Sequence, residues 1–230
     1  MPVPECGSVK LWNYKSNSYD NMKNPVFSPI KSIRGKSLAE VRSTLHQFLS
    51  EEIVEINFST PVHLSQFTSK AVHRQLARFT DWLEQQSGVS GKYEDYIVRS
   101  RKNAYEVEHI WANHYDRFVE EFDQQGDFDR TRNHIGGLLL LPKKINASLS
   151  DMTYKEKLPH YLKENALAQS LHEAFYQKNP GFQQTLETYG LKFESYEEFG
   201  PNEMKKRSAL YSELAELIWS PNRLLDEVAE

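Results

Sequence analysis

Four consecutive leucines in the middle of the chain constrain its fold more than any other feature. The run extends from Leu138 to Leu141, follows two glycines and is closed by Pro142. A short, continuous apolar run between such residues is typical of a buried strand. The segment YEVEHIW, Tyr105 to Trp111, alternates with a period of two and predicts a second short strand. The centre of the chain is therefore predicted to hold a small two-stranded element.

Helical periodicity dominates on both sides of this centre. Ser37 and Glu40 have the spacing of a capping box and precede an apolar face that predicts a helix over Leu38–Glu51. Pro159 is expected to interrupt or kink a later helix. The other predicted helices are Leu64–Gln86, with Gly88 as its stop, Tyr154–Glu164, Leu167–Gln177, Phe182–Tyr189 and Asn202–Trp219. These patterns predict an α+β fold that is mostly α-helical.

Composition limits the functional classes. The hydrophobic content of 39% supports a core, and the net charge of −4 gives no global electrostatic argument for binding nucleic acid. Cys6 is the only cysteine, which excludes an internal disulfide framework and a zinc site built from CxxC pairs. There is no signal peptide pattern and no apolar run of membrane length. We therefore expect a cytoplasmic protein without a membrane segment.

Two residues of the central element could support phosphodiester hydrolysis. That reaction needs a base for water and a cation to offset developing negative charge. His109 on the first strand and Asn146 after the second could supply the base and a metal ligand. Glu108 could be a second ligand only if the strand ends or bends there, because an ideal strand turns it away from His109. Between Arg130 and Lys163, seven basic residues stand against two acidic ones, which favours local contacts with phosphate.

Structural explanations for the same residues stay open at this point. A lone histidine in a strand is more often a core residue than a base. His109 and His114 are five positions apart, a spacing that does not fit the HExxH helix of a zinc protease. Lys143 and Lys144 could form a solvated turn.

Longer motifs resemble a known family. They are EHIWA (Glu108–Ala112), RNHIGGLLLLPKKINAS (Arg132–Ser148), YKEKLPHY (Tyr154–Tyr161), NPGF (Asn179–Phe182) and IWSPNRL (Ile218–Leu224). Together they resemble the C-terminal nuclease domain of GmrSD-type restriction enzymes, which also occurs in phosphorothioate-dependent defence proteins. The resemblance implies a central ββα element of the HNH (His-Me finger) kind. Residues 1–36 show no sustained period and are expected to be irregular, and the helical periodicity predicts a helical scaffold or connector at 37–103. The resemblance implies an HNH nuclease domain with C-terminal helices at 104–230.

The resemblance further implies roles for individual residues. The general base falls on His109 and the metal-binding asparagine on Asn146. Many relatives have GNL where this chain has Gly136, Gly137 and Leu138, and Asn133 could replace the missing asparagine. The residues expected to contact DNA phosphates are Arg130, Arg132, Lys143, Lys144 and Lys157. The expected cofactor is Mg²⁺ or Mn²⁺, with no structural zinc.

The implied activity is metal-dependent cleavage of foreign or phage DNA, with nicking expected from a single site. In complete family members a ParB-like NTPase domain with a DGQQR motif senses modified DNA, and this sequence contains no such motif. A ParB-like sensor domain or subunit is therefore an expected partner besides DNA. The alternative is a non-catalytic DNA-binding or assembly module on a degenerate finger, since the middle asparagine is missing.

Overall fold

The computed structural model describes residues 27–53, 62–98, 102 and 104–225. The chain divides into two compact units. One consists of Met1–Thr60 with Ala215–Glu230, and the other of Pro61–Leu214. Cys6 and most of the segment predicted to be irregular lie outside the described residues.

The first unit contains a helical segment at residues 27–33 and helix α1, Leu38–Ile53. The predicted capping box is present at the start of α1: Ser37 N donates to Glu40 Oε2 over 2.8 Å, and Glu40 N donates to Ser37 Oγ over 3.4 Å. Helix α1 packs on a 3₁₀ turn at Pro221–Leu224. His46 Nε2 and Asn222 Oδ1 lie 3.1 Å apart between these two elements.

The second unit is mostly helical around a single two-stranded sheet in its described part. Strands β1, Tyr105–His109, and β2, Leu138–Pro142, pair antiparallel, with His109 opposite Leu138 and Tyr105 opposite Pro142. The helices are α2 (Ser69–Gln86), α3 (Tyr93–Ile97), α4 (Gln125–Arg132), α5 (Lys143–Leu149), α6 (Tyr154–Tyr161), α7 (Ala166–Gln169), α8 (Glu173–Lys178), α9 (Pro180–Tyr189) and α10 (Pro201–Trp219, whose last residues belong to the first unit). The prediction of a mostly helical α+β fold is confirmed.

The leucine run is the buried strand that the sequence predicts. All four side chains are fully buried, because α2, α5 and α7 all contact β2. Helix α10 covers the start of the strand, where Tyr211 Oη donates to Leu138 O over 3.2 Å. Gly136 just before the strand has no room for a side chain, since a Cβ would overlap the carbonyl oxygen of Met204. The strand is thus fixed at the end that faces His109.

The observed helices differ from the prediction where tertiary contacts compete with periodicity. Helix α2 begins at Ser69 because residues 62–64 pair with residues 133–135 instead. Residues 116–132 lie between the two predicted strands, where no helix was predicted, and they contain α4. Phe128 anchors this helix by stacking on Trp111 with ring centroids 6.0 Å apart. The helix predicted over Leu167–Gln177 is two short helices, with His172 Nδ1 accepting from Ala174 N at the start of α8.

Candidate active site

His109 is the last residue of β1 and its side chain is only partly buried. Its Nε2–H donates to Asn133 Oδ1 over 2.8 Å. An amide oxygen can only accept, so this bond places the ring proton on Nε2 and leaves the lone pair on Nδ1. The imidazole is thereby oriented with one nitrogen able to take a proton.

The surroundings of His109 keep the imidazole neutral. Burial and, to a smaller extent, the positive charge of Arg132 together lower the pKa of His109 to about 4, although the bond to Asn133 opposes the shift. A neutral imidazole is the form that acts as a general base. His109 is therefore in its base form throughout the neutral pH range.

Asn133 is held from both sides by the backbone. It caps α4, where its N–H donates to Asp129 O over 3.0 Å, and its carbonyl oxygen accepts from Leu64 N over 2.7 Å. The pairing continues with Ile135 N donating to Val62 O over 2.9 Å. The sequence suggested Asn133 as a substitute for the missing asparagine. It did not predict that residues 62–64 pair with residues 133–135, because this pairing is long-range and leaves no local pattern.

Asn146 lies on α5, the helix that follows β2 directly. Its Nδ2 donates to Val107 O over 3.3 Å, which ties it to the strand that ends at His109. Among the described residues nothing donates to its Oδ1. The amide oxygen is thus the open atom, and an amide oxygen is a suitable ligand for a hard cation.

A buried ion pair supports the backbone beneath His109. Lys157 Nζ donates to Glu108 Oε1 and to the carbonyl oxygen of His109, both over 2.7 Å. Tyr161 Oη donates to the same Glu108 oxygen over 2.9 Å. The side chains of Lys157 and Glu108 are 1% and 4% exposed. Burial lowers the pKa of Lys157, and the Glu108 carboxylate opposes that shift.

These contacts correct two expectations. Strand β1 runs regularly through His109, so the alternation of side chains turns Glu108 to the opposite face, where Lys157 and Tyr161 occupy its carboxylate. Glu108 as a metal ligand does not fit this arrangement. Lys157 as a phosphate contact does not fit it either, because its ammonium group is buried and engaged by protein oxygens.

The other predicted DNA contacts divide into two groups. Arg130, Lys143 and Lys144 are exposed, with Arg130 3.4 Å from Asp127 and Lys143 3.2 Å from Glu106 in solvent-exposed ion pairs. Such pairs are weak and can exchange for phosphate. Arg132 is partly buried instead, and its Nε donates to Trp111 O over 3.0 Å. The structure thus brings Arg132, but not the exposed residues, to the end of β1.

The donor atoms restrict the cation that this site could hold. Across residues 27–53, 62–98 and 104–225 there is no group of three or more His, Cys, Asp or Glu side chains arranged for a metal. The open donor beside β1 is the Asn146 amide oxygen. Mg²⁺ is commonly bound by one or two protein oxygens, with water and substrate phosphate completing its shell. The Asn146 amide oxygen would suit an ion of that kind, for which the substrate phosphate and water would supply the other ligands.

The second unit matches a known protein family. A model of the family described as GmrSD restriction endonucleases, C-terminal domain, matches residues 63–214. The match covers more than half of the chain, so the chain belongs to this family, as its motifs predict. Membership implies a nuclease role of the restriction endonuclease type. Neither the curated proteins nor the solved structures gave a match. In the described part of the chain, no helix is both long enough and apolar enough to cross a membrane.

Proposed function

We propose that this chain is a metal-dependent DNA endonuclease of the HNH (His-Me finger) kind. The observation that carries the proposal is the bond from His109 Nε2 to Asn133 Oδ1, which leaves Nδ1 as a base. The order of elements supports it, because β1 and β2 are followed directly by the helix that bears Asn146. A base on the strand and an amide oxygen on the helix are the two protein groups that the reaction requires.

The reaction follows from the state of His109. Nδ1 takes a proton from water as the water oxygen bonds to phosphorus and the bond from phosphorus to the 3′ oxygen breaks. The departing oxygen takes a proton from solvent, and His109 later returns its own proton to solvent. The products are a 5′-phosphate and a 3′-hydroxyl. A positioned base of this type contributes about 10²–10⁴ in rate.

A divalent cation would be held by Asn146. Asn146 Oδ1 would hold it, because the amide nitrogen is already bonded to Val107 O. When bound, Mg²⁺ or Mn²⁺ would offset the negative charge that develops on the phosphate and on the departing oxygen. The chain would provide the base and one oxygen ligand, and phosphate oxygens of DNA and water would complete the shell of the ion.

DNA is held through its backbone. Arg130, Lys143 and Lys144 are exposed and suited to phosphate contacts, which position DNA without reading its bases. One such site attacks one strand per encounter, so nicking with little sequence preference follows. In this proposal the chain cuts foreign or phage DNA, and a separate ParB-like domain or subunit senses modification.

A plasmid assay tests the proposal. The purified chain is incubated with supercoiled plasmid and Mg²⁺ or Mn²⁺, with and without EDTA. We expect metal-dependent open-circle product before linear product, and a loss of about 10²–10⁴ in rate for His109→Ala. His160→Ala, an exposed histidine at the end of α6, is the matched control and should cleave normally.

Two results would contradict the proposal. Retained cleavage by a folded His109→Ala variant would remove His109 as the base. DNA binding without any cleavage by the wild-type chain would favour the alternative, a non-catalytic module on a degenerate finger.

A further inference from the structure

Arg132 occupies a fixed place beside His109. Two side-chain contacts connect the end of α4 with the end of β1: Asn133 Oδ1 accepts from His109 Nε2 over 2.8 Å, and Arg132 Nε donates to Trp111 O over 3.0 Å. His109 and Trp111 are two residues apart at the end of β1, and Arg132 and Asn133 are consecutive at the end of α4, so the two contacts lie close together along both segments. The guanidinium is thus anchored next to the base.

The Glu108 and Asp129 carboxylates favour the charged form of Arg132, but neither forms an ion pair with its guanidinium. Its Nε bond is the one hydrogen bond that engages the guanidinium among the described residues, and no ion pair does so. The nearby Glu108 carboxylate is already occupied by Lys157 and Tyr161. Burial lowers the pKa of Arg132, as expected for a cation with reduced hydration. Partly buried cations are normally paired, so the two terminal nitrogens suit an anionic ligand.

We infer that Arg132 is a further catalytic residue, whose terminal nitrogens bind the non-bridging oxygens of the scissile phosphate. The inference rests on the proposed nuclease function. A guanidinium offers two parallel N–H groups that match two phosphate oxygens, and its planar geometry gives it an advantage over lysine. Arg132 exchanges no proton. It stabilises the negative charge that increases on the phosphate oxygens as the water bonds to phosphorus.

Arg130 is the matched comparison for Arg132. It lies on the same helix, two residues earlier, but its side chain is 73% exposed and pairs with Asp127. An exposed arginine contributes to DNA affinity through counterion release and equally in the ground and transition states. A fixed arginine on the scissile phosphate contributes more in the transition state, where the charge is larger. The two arginines are therefore expected to affect different kinetic constants.

The test compares Arg132→Gln, Arg132→Lys and Arg130→Gln in the full chain. Plasmid cleavage is measured at saturating and limiting DNA with Mg²⁺, alongside equilibrium DNA binding and thermal unfolding. We expect Arg132→Gln to lower kcat by about 10²–10³ with at most a few-fold change in affinity. Arg130→Gln should weaken DNA binding and raise KM, and it should lower kcat far less than Arg132→Gln does. Arg132→Lys should keep the fold and recover only part of the rate, because an ammonium cannot make the paired contact.

Chemical rescue separates catalysis from folding. Guanidinium ion, added well below denaturing concentrations, should restore part of the cleavage by Arg132→Ala and none of the cleavage by His109→Ala. The inference is overturned if Arg132→Gln behaves like Arg130→Gln, or if Arg132→Lys cleaves at the wild-type rate. If the wild-type chain cleaves nothing, the proposed function fails, and this inference fails with it.

Discussion

Replacing Lys157 with methionine tests whether the ion pair beneath His109 is structural. Methionine fills a similar volume but removes the ammonium group, so the Glu108 carboxylate stays buried without a cation and the His109 carbonyl loses its donor. Breaking one side of a buried ion pair typically costs about 3–5 kcal/mol. For a unit of this size that corresponds to a lower Tm by roughly 6–20 °C.

The measurement is chemical and thermal unfolding of variants that differ only in burial. Lys206 pairs with Glu194 over 2.8 Å, but the two side chains are 58% and 49% exposed, so Lys206→Met should lower the stability far less than Lys157→Met. The double variant Glu108→Leu/Lys157→Met should recover part of the loss, since no charge is then left buried. Equal losses for Lys157→Met and Lys206→Met would refute the reasoning.

The salt dependence of DNA binding separates the structural role of Lys157 from the phosphate contact that the motif suggested. A lysine on a phosphate contributes about one unit to the slope of log affinity against log salt concentration. Because Lys157 is buried, Lys157→Met should leave that slope unchanged in the folded protein. A slope reduced by about one unit would mean that the ammonium group reaches DNA.

Three further predictions concern the proposed base, its hydrogen-bond partner and the proposed metal ligand. In the wild type, kcat/KM should stay flat through neutral pH and fall only as the pH approaches about 4, because the base must be neutral. Asn133→Asp places a carboxylate beside His109 Nε2, which favours the imidazolium form and raises the pKa of His109. The acid limb of the pH–rate profile should therefore move to higher pH, and an acid limb at the wild-type position would contradict this contact. Asn146→Ala should raise the Mg²⁺ concentration needed for half-maximal cleavage more than it weakens DNA binding. If the metal titration curves of the variant and the wild type overlay, Asn146 has a structural role and does not bind the metal.

Local sequence pattern predicted the parts of the fold in which burial and periodicity agree. The leucine run and the alternating segment became the two paired strands, and the Ser37–Glu40 box begins α1 as expected. Gly88 follows the end of α2 with a φ of 84°, which suits a residue without a side chain. These features depend on neighbours in sequence, so the sequence carries them directly.

The site depended on contacts that no local pattern records. His109 was predicted from its motif, but its bond to Asn133 joins residues 24 positions apart. Glu108 and Lys157 have the residue types of a ligand and a phosphate contact, and only the packing of α6 against β1 shows that they neutralise each other. A residue type indicates what a side chain can do, whereas burial decides which of those roles remains available.

The missing asparagine at Gly137 does not leave the base without a partner. A Cβ at Gly137 would point towards the Met204 side chain, 3.2 Å from its sulfur, and the Gly137 carbonyl oxygen accepts from Ile110 N just after the base. The amide that orients His109 comes instead from Asn133, at the end of α4, where backbone bonds to Asp129 and Leu64 hold it. A single hydrogen-bond acceptor at Nε2 is enough to fix the tautomer, and its position in the sequence is irrelevant to that effect. In the proposed HNH site, Asn133 rather than residue 137 therefore supplies the side-chain acceptor that orients His109.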